Sequence, residues 1–542
     1  MKTSICAGLL LLGSMAWAQD EDVLRAALYL TGADSIEEAD ASVVDLLESR
    51  HGRRICVNDA HLRGGGILSD YQVVVIRDYR SRSGDILSWE ELALLDGFGE
   101  RAVAALRPFL SLASTRAPGA TDTVRVRAQA FLRATLTSVG GKAKVSGAFW
   151  RAGGAWRGKD GTFYGEVSGR RTRWLIGDYN VRFGQGLGLW TGFSMSSLST
   201  LDAFVKRPQG AVPTWSFSRS GLRGLAGEYT GGPLRLTAFA SLDKTFGGRA
   251  EWLGRYGQAG VTAATAPSAP FLLSADGRLQ FRGLLLTGEA AYRNRSAAGL
   301  VAASLPLGEQ WSLALQGRIL PSRFSGKKYG EYALAGGGAF RSERWRSLSG
   351  KEGFGSSVPC FTASLTADAA LLPIPAGDAR RLQVRVYARA TWQISGRWSL
   401  ETHLTERYRN YERPRTDLRA DLHYAAGPWQ GTFRGEGVFC EKAGWMTYLE
   451  AGRKTDGWAA WLRVTGFWID RWNDRIYCYE RDAPGTFSVP AYNGRGGAVS
   501  LVVNWKHRFR WFTLKAYLRG AYIFRTDRAP APTLNLQFHC ER

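Results

Sequence analysis

Residues 382–393, LQVRVYARATWQ, alternate without a break. Leu382, Val384, Val386, Ala388, Ala390 and Trp392 fall on one side of an extended strand, and Gln383, Arg385, Tyr387, Arg389, Thr391 and Gln393 fall on the other. The same period returns in LRADLHYAA, where Leu418, Ala420, Leu422 and Tyr424 oppose Arg419, Asp421 and His423. In FTLKAYLRGAYIF, Phe512, Leu514, Ala516 and Leu518 oppose Thr513, Lys515, Tyr517 and Arg519. A protein core could not accept arginines at this frequency. The pattern therefore predicts a mainly β fold, a transmembrane antiparallel β-barrel with lipid outside and water inside. Counting such segments gives about 16 to 20 strands, an even number being expected.

The period differs ahead of residue 123. DVLRAALYL, SVVDLLES, DYQVVVIRDYRSR, SWEELALL and ERAVAALRPFL place apolar residues at helical spacing. Gly64-Gly65-Gly66 and Gly97-Phe98-Gly99 separate them, and Ser88 with Glu91 forms a capping box. The expected organisation is a signal peptide over 1–18, a small all-α domain over 20–112, a linker over 113–122 and a barrel over 123–542. The leader has Lys2, an apolar run Ala7 to Leu12, and Ala16-Trp17-Ala18 as its cleavage signal. Cys6 precedes the apolar run, which argues against a lipoprotein.

Connections in the last third alternate in length. Short ones at Ser395-Gly396, Ala426-Gly427-Pro428, Thr455-Asp456-Gly457 and Lys506-His507-Arg508 alternate with longer ones at about 373–381, 409–415, 440–443, 470–495 and 525–531. Short turns face the periplasm in such barrels. This predicts a periplasmic C-terminus and helical domain, with Cys440 and Cys478 on the outer face, where a disulfide between them is possible.

Composition supports the barrel. Beyond the leader, no run reaches the ~18 apolar residues of a membrane helix, while 20 Trp, 20 Tyr and 25 Phe suit interfacial girdles. The formal charge of +23 is unevenly spread: residues 20–115 carry −7 and residues 116–542 carry +29. A basic exported chain invites a nucleic-acid reading, yet the small domain is acidic.

Candidate chemistry is sparse. Five cysteines follow the leader, Cys56, Cys360, Cys440, Cys478 and Cys540, with no metal spacing among them. The histidines, His51, His61, His403, His423, His507 and His539, form no metal motif. His423 lies two residues from Asp421 on a polar face, which permits catalytic geometry and equally permits simple luminal hydrogen bonding. Gly184, Gly186 and Gly188 lack the βαβ context of a nucleotide loop and suit a bent strand or a loop folded into the lumen. Asp178, Tyr179, Arg182 and Gln185 would line the wall or anchor that loop. No enzyme, cofactor or metal is expected.

Two segments resemble a known family. LSDYQVVVIRDYRSRSGDILSWEELALLDGFGERAVAALRPFL resembles the helix-hairpin-helix module of ComEA-like DNA-binding proteins. Together with IGDYNVRFGQGLGLWTGFS and YERDAPGTFSVPAYNGRG, the chain is similar to helix-hairpin-helix domain-containing outer-membrane barrels of Bacteroidetes. The resemblance implies that Gly97, Phe98 and Gly99 present backbone amides to a phosphate, with Arg101 and Arg107 beside them. Where a second such hairpin would stand, this chain has Gly65-Gly66-Ile67-Leu68-Ser69. Asp96, Glu100 and the charge of −7 work against DNA.

Within the barrel, Arg235, Arg385, Arg389, Arg419, Lys515 and Arg519 would project inward, either as an anion-selecting ring or paired with luminal acids such as Asp417 and Asp421. The expected protein is a non-enzymatic outer-membrane barrel whose periplasmic domain docks a protein or DNA partner, with transport across the outer membrane as one use of that docking. The alternatives are an anion-preferring porin with the domain as plug or scaffold, and a DNA-uptake protein. Its partners would be membrane lipid, the barrel-assembly machinery for insertion, and a periplasmic protein or DNA.

Overall fold

A computed structural model describes residues 19–541 apart from 34–35, 40, 51–53, 60–61, 63, 114–125, 148, 170, 193–197, 218–220, 255, 268, 282, 309, 328, 343, 346–357, 360, 374–379, 456 and 485–487. The expected leader, most of the linker, and Cys6, Cys360, His51 and His61 lie outside the described residues.

From Arg127 onward the chain is a closed antiparallel barrel of 24 strands, with a short extra strand, Gly210–Pro213, on the inner end of Thr172–Arg182. The first strand, Arg127–Thr135, pairs with the last, Arg528–Glu541, so no edge is left open. The barrel class is as expected, but the strand number exceeds the expected 16 to 20. The surplus lies in strands such as VGGKAKVS (Val139–Ser146) and GQAGVTAATA (Gly257–Ala266), where glycine and alanine blunt the contrast between faces. Cross-strand hydrogen bonds, which a single segment cannot reveal, hold them in register.

Burial follows the alternation. Along Ala443–Lys454, Trp445 and Leu449 are exposed on the outside while Met446, Tyr448 and Glu450 are buried inside. Trp252, Trp311, Trp392, Trp398, Trp429, Trp458 and Trp505 all stand exposed at strand ends on one rim. That rim is where the chain enters at Arg127 and leaves at Glu541. Two turns differ from expectation. Residues 506–508 belong to strand Gly494–Arg508, the turn being 509–512, and the expected loop at 525–531 is the two-residue link 526–527. The strands simply run further than their hydrophobic contrast does.

The opposite rim carries the long connections 183–221 and 470–493. Both turn back into the barrel. Ahead of the barrel, helices Gln19–Thr31, Ala41–Arg50, Asp70–Ser83, Trp89–Ala93 and Glu100–Leu106 pack around Leu47, Ile76, Leu106 and Leu110, all fully buried. The Ser88–Glu91 capping box forms, and a second one joins Ser69 and Gln72. Strands Ile55–Cys56 and Leu110–Ser111 pair in parallel and tie the end of this domain to its middle.

Candidate functional site

A barrel's width grows with its strand number, and 24 strands enclose more space than side chains alone can fill. Among the described residues, at least three pieces of the chain occupy it. The 183–221 connection is anchored by Glu289, whose carboxylate accepts the backbone N–H groups of Gln185 (2.7 Å), Leu187 (3.0 Å) and Gly188 (2.8 Å). Farther along, Phe204 is buried against Ala314 and Ala335, and Gln316 donates to its carbonyl at 2.8 Å. The 470–493 connection is held by Glu480 paired with Arg519, and by Arg481 with Glu450 at 2.7 Å.

The helical domain is the third piece. Arg207 donates to the Tyr29 carbonyl at 3.2 Å and stacks on the Tyr29 ring, and Thr200 donates to the Gly32 carbonyl at 2.6 Å. Gln209 donates to the Gly66 carbonyl at 2.7 Å, and Arg278 of strand Ala269–Phe281 lies over Tyr71. Across the barrel, Glu37 receives Arg434 at 2.8 Å, Arg419 at 3.3 Å and the backbone N–H of Tyr479 at 3.1 Å. Contacts with inner side chains of strands so far apart in the sheet put the domain in the lumen.

Glu37 sits in a network closed on every side. Arg419 and Arg434 each donate through Nε to Asp421 at 2.5 Å while their terminal nitrogens hold Glu37. The Glu37 and Asp421 side chains are 8% and 0% exposed, so two carboxylates and two guanidiniums neutralise one another away from water. Burial alone would raise the Glu37 carboxyl, but Arg419 and Arg434 outweigh it and hold the group well below the usual carboxylate range. Glu401, His403 and Asp421 lie within 4.8 Å of one another, a spacing that suits a cation. Arg389, Arg419 and Arg434 already satisfy those carboxylates, which makes the trio part of the ion-pair network.

Two of the hairpin amides are engaged within the domain itself. The Phe98 and Gly99 amides donate to the Leu95 and Ala93 carbonyls, at 3.1 and 3.0 Å. A side chain at Gly97 would meet Tyr71, with Arg278 just beyond. Arg101 pairs with Asp202 at 3.2 Å and Arg107 stacks on Trp89. Asp178 accepts from Arg223 and from the Phe163 amide, and Tyr179 donates to the Leu225 and Ala240 carbonyls. Arg182 bonds Gln209 at 3.1 Å, and Gln185 exchanges hydrogen bonds with the Lys206 backbone. Asp178 and Tyr179 thus tie neighbouring wall strands together, and Arg182 and Gln185 anchor the inward connection.

Most of the expected luminal cations are paired. Arg235 binds Glu251 at 2.9 Å, Arg389 binds Glu401 at 2.9 Å, Lys515 binds Glu541 at 2.9 Å, Arg419 binds Glu37 and Asp421, and Arg519 binds Glu480. Arg385 differs, as described below. His423 bonds Thr432 at 3.1 Å and not Asp421, which is the simple luminal role. The disulfide is corrected: Cys440 and Cys478 are both free, and the Cys478 sulfur lies 3.7 Å from both Arg434 and Arg463. Neighbouring loops on one rim were not enough to align two Cβ vectors. Glu37 carried no sequence signal among the acids of its domain. Arg434 and Glu289 were legible in principle, each being a charge in the inward phase of a strand.

No protein-family model and no curated protein matches the chain. Among solved structures it is similar to the Escherichia coli P pilus tip assembly intermediate PapC-PapD-PapK-PapG, at 10% identity and a TM-score of 0.44, over 76% of this chain and 60% of that one. It is similar also to the P pilus usher PapC translocation pore, at 9% identity and a TM-score of 0.33, over 77% and 98%. A third is Pseudomonas aeruginosa OccK5, at 10% identity and a TM-score of 0.28, over 76% and 96%.

Proposed function

We propose that this chain is an outer-membrane barrel closed by its own N-terminal helical domain, working as a non-enzymatic, gated transport protein. The apolar outer face with its tryptophan rim supports the membrane. The export signal expected over residues 1–18 supports the outer one. The observation that carries the gating is Glu37, a domain side chain clamped between Arg419 and Arg434 of the wall. A freely hanging periplasmic module would have no reason to bury a carboxylate inside the barrel. Planar bilayers test this with the full chain. The unmodified protein should show no steady conductance, and Glu37→Lys, which sets three cations together, should produce frequent large openings. Steady conductance in the unmodified protein, or silence in the variant, would count against the plug.

Docking of a periplasmic protein is a second reading with one observation in its favour. Leu87 and Leu94, flanking helix Trp89–Ala93, are 75% and 86% exposed, unusual for leucines in a packed domain. DNA has less support, because the Phe98 and Gly99 amides already have acceptors within the domain and Arg101 faces Asp202.

A further inference from the structure

Arg385 and Arg407 stand directly opposite each other on strands Arg380–Gln393 and Trp398–Arg409, and Arg407 in turn faces Arg415 on Arg415–Ala426. Three arginines therefore lie in one cross-strand row on the inner face. With strands about 4.8 Å apart, the row spans roughly 10 Å. Arg415 begins its strand and Arg407 is two residues from the end of its own, so the row lies near the rim that carries the long connections.

Pairing within this row is uneven. Arg415 is held by Asp417 at 2.6 Å. Asp368, the register partner of Arg385, is taken by Arg318 at 2.9 Å, and Arg409, one row up, by Gln383 and Glu412. Among the described residues, Arg385 and Arg407 form no ion pair and no hydrogen bond, yet both are half-buried. Like charges directly opposite one another destabilise a sheet. Among the described residues, these two facing guanidiniums have no ion-pair partner, whereas Arg235, Arg389, Arg419, Lys515 and Arg519 each have one.

We propose that Arg385 and Arg407 form a binding site for a multiply charged oxyanion, a phosphate group either free or carried as an ester. Two planar guanidiniums across one strand gap can each offer paired N–H donors to such a group, and its charge removes their repulsion. The site would select cargo at the outer vestibule, above the plug. It rests on the reading of this end as a water-filled mouth. Binding is measured without conductance, so failure here and failure of the plug are separate results.

The test is equilibrium binding to the full chain in detergent at low salt, with inorganic phosphate, pyrophosphate and a sugar phosphate as probes. Saturable binding should weaken at least about tenfold in Arg385→Gln and again in Arg407→Gln. Arg413→Gln, an exposed loop change, should bind as the unmodified protein does. Heat-modifiable gel migration establishes that each variant is folded. Tighter binding of inorganic phosphate or of the sugar phosphate identifies the free or the esterified group as the cargo. Absence of saturable binding to all three probes, or affinity unchanged in folded Arg385→Gln and Arg407→Gln, overturns the site.

Discussion

Glu37 shows how much one side chain can decide. Its carboxylate links the domain to the wall through Arg419 and Arg434, and the same two arginines clamp Asp421. Removing one member of such a buried set leaves an uncompensated charge, at a cost of about 3–5 kcal/mol. Arg434→Leu should therefore destabilise docking by that order, measured as a fall in the urea midpoint of the domain. The sign of the pH dependence follows from the lowered Glu37 carboxyl. A depressed acid contributes stability that is complete above its unfolded value, near 4.3, and lost only as pH falls through the folded one. Closure should hold from about pH 8 to about pH 5, and bilayer openings at mildly acidic pH would contradict the clamp. Cys478, in the inward connection, has its thiol pushed up to about 12, burial overriding the pull of Arg434 and Arg463. Maleimide should therefore modify Cys440 in the folded protein and spare Cys478, as read by peptide mass.

At the scale of the element, each strand separates two solvents. Leu449, in the middle of Ala443–Lys454, is 60% exposed on the outer face. Leu449→Arg should cost about 2–4 kcal/mol in lipid, measured by reversible unfolding from vesicles, and next to nothing if that face met water. Strands of this kind were legible where large apolar and charged residues alternate, as in LQVRVYARATWQ. They were not legible in VGGKAKVS, because glycine contributes to neither face. Helices were legible from spacing and from Ser88 with Glu91. The anchoring role open to Asp178, Tyr179, Arg182 and Gln185 could be stated from their place beside the glycines, and their partners could not, since Gln209, Arg223 and Ala240 come from elsewhere in the chain. For the same reason the pairing of Arg389 and Arg519, and the absence of a partner for Arg385, emerge only once the strands are in register.

For the whole molecule, a wide barrel creates a space that something must fill, and this chain fills it with two returning connections and a folded domain. The two ends of the arrangement differ. At the rim where the chain enters and leaves, tryptophans face outward; toward the other, Arg385 and Arg407 face each other on the inner side with no ion pair among the described residues. A short bis-maleimide between Arg101→Cys and Asp202→Cys, with the native cysteines replaced by serine, asks whether the helical domain lies inside the barrel. Arg101 and Asp202 are 3.2 Å apart at their charged ends. A domain inside the barrel gives efficient intramolecular linkage in the folded, membrane-inserted protein, found as one joined peptide. Two singly modified cysteines with no joined peptide would contradict it.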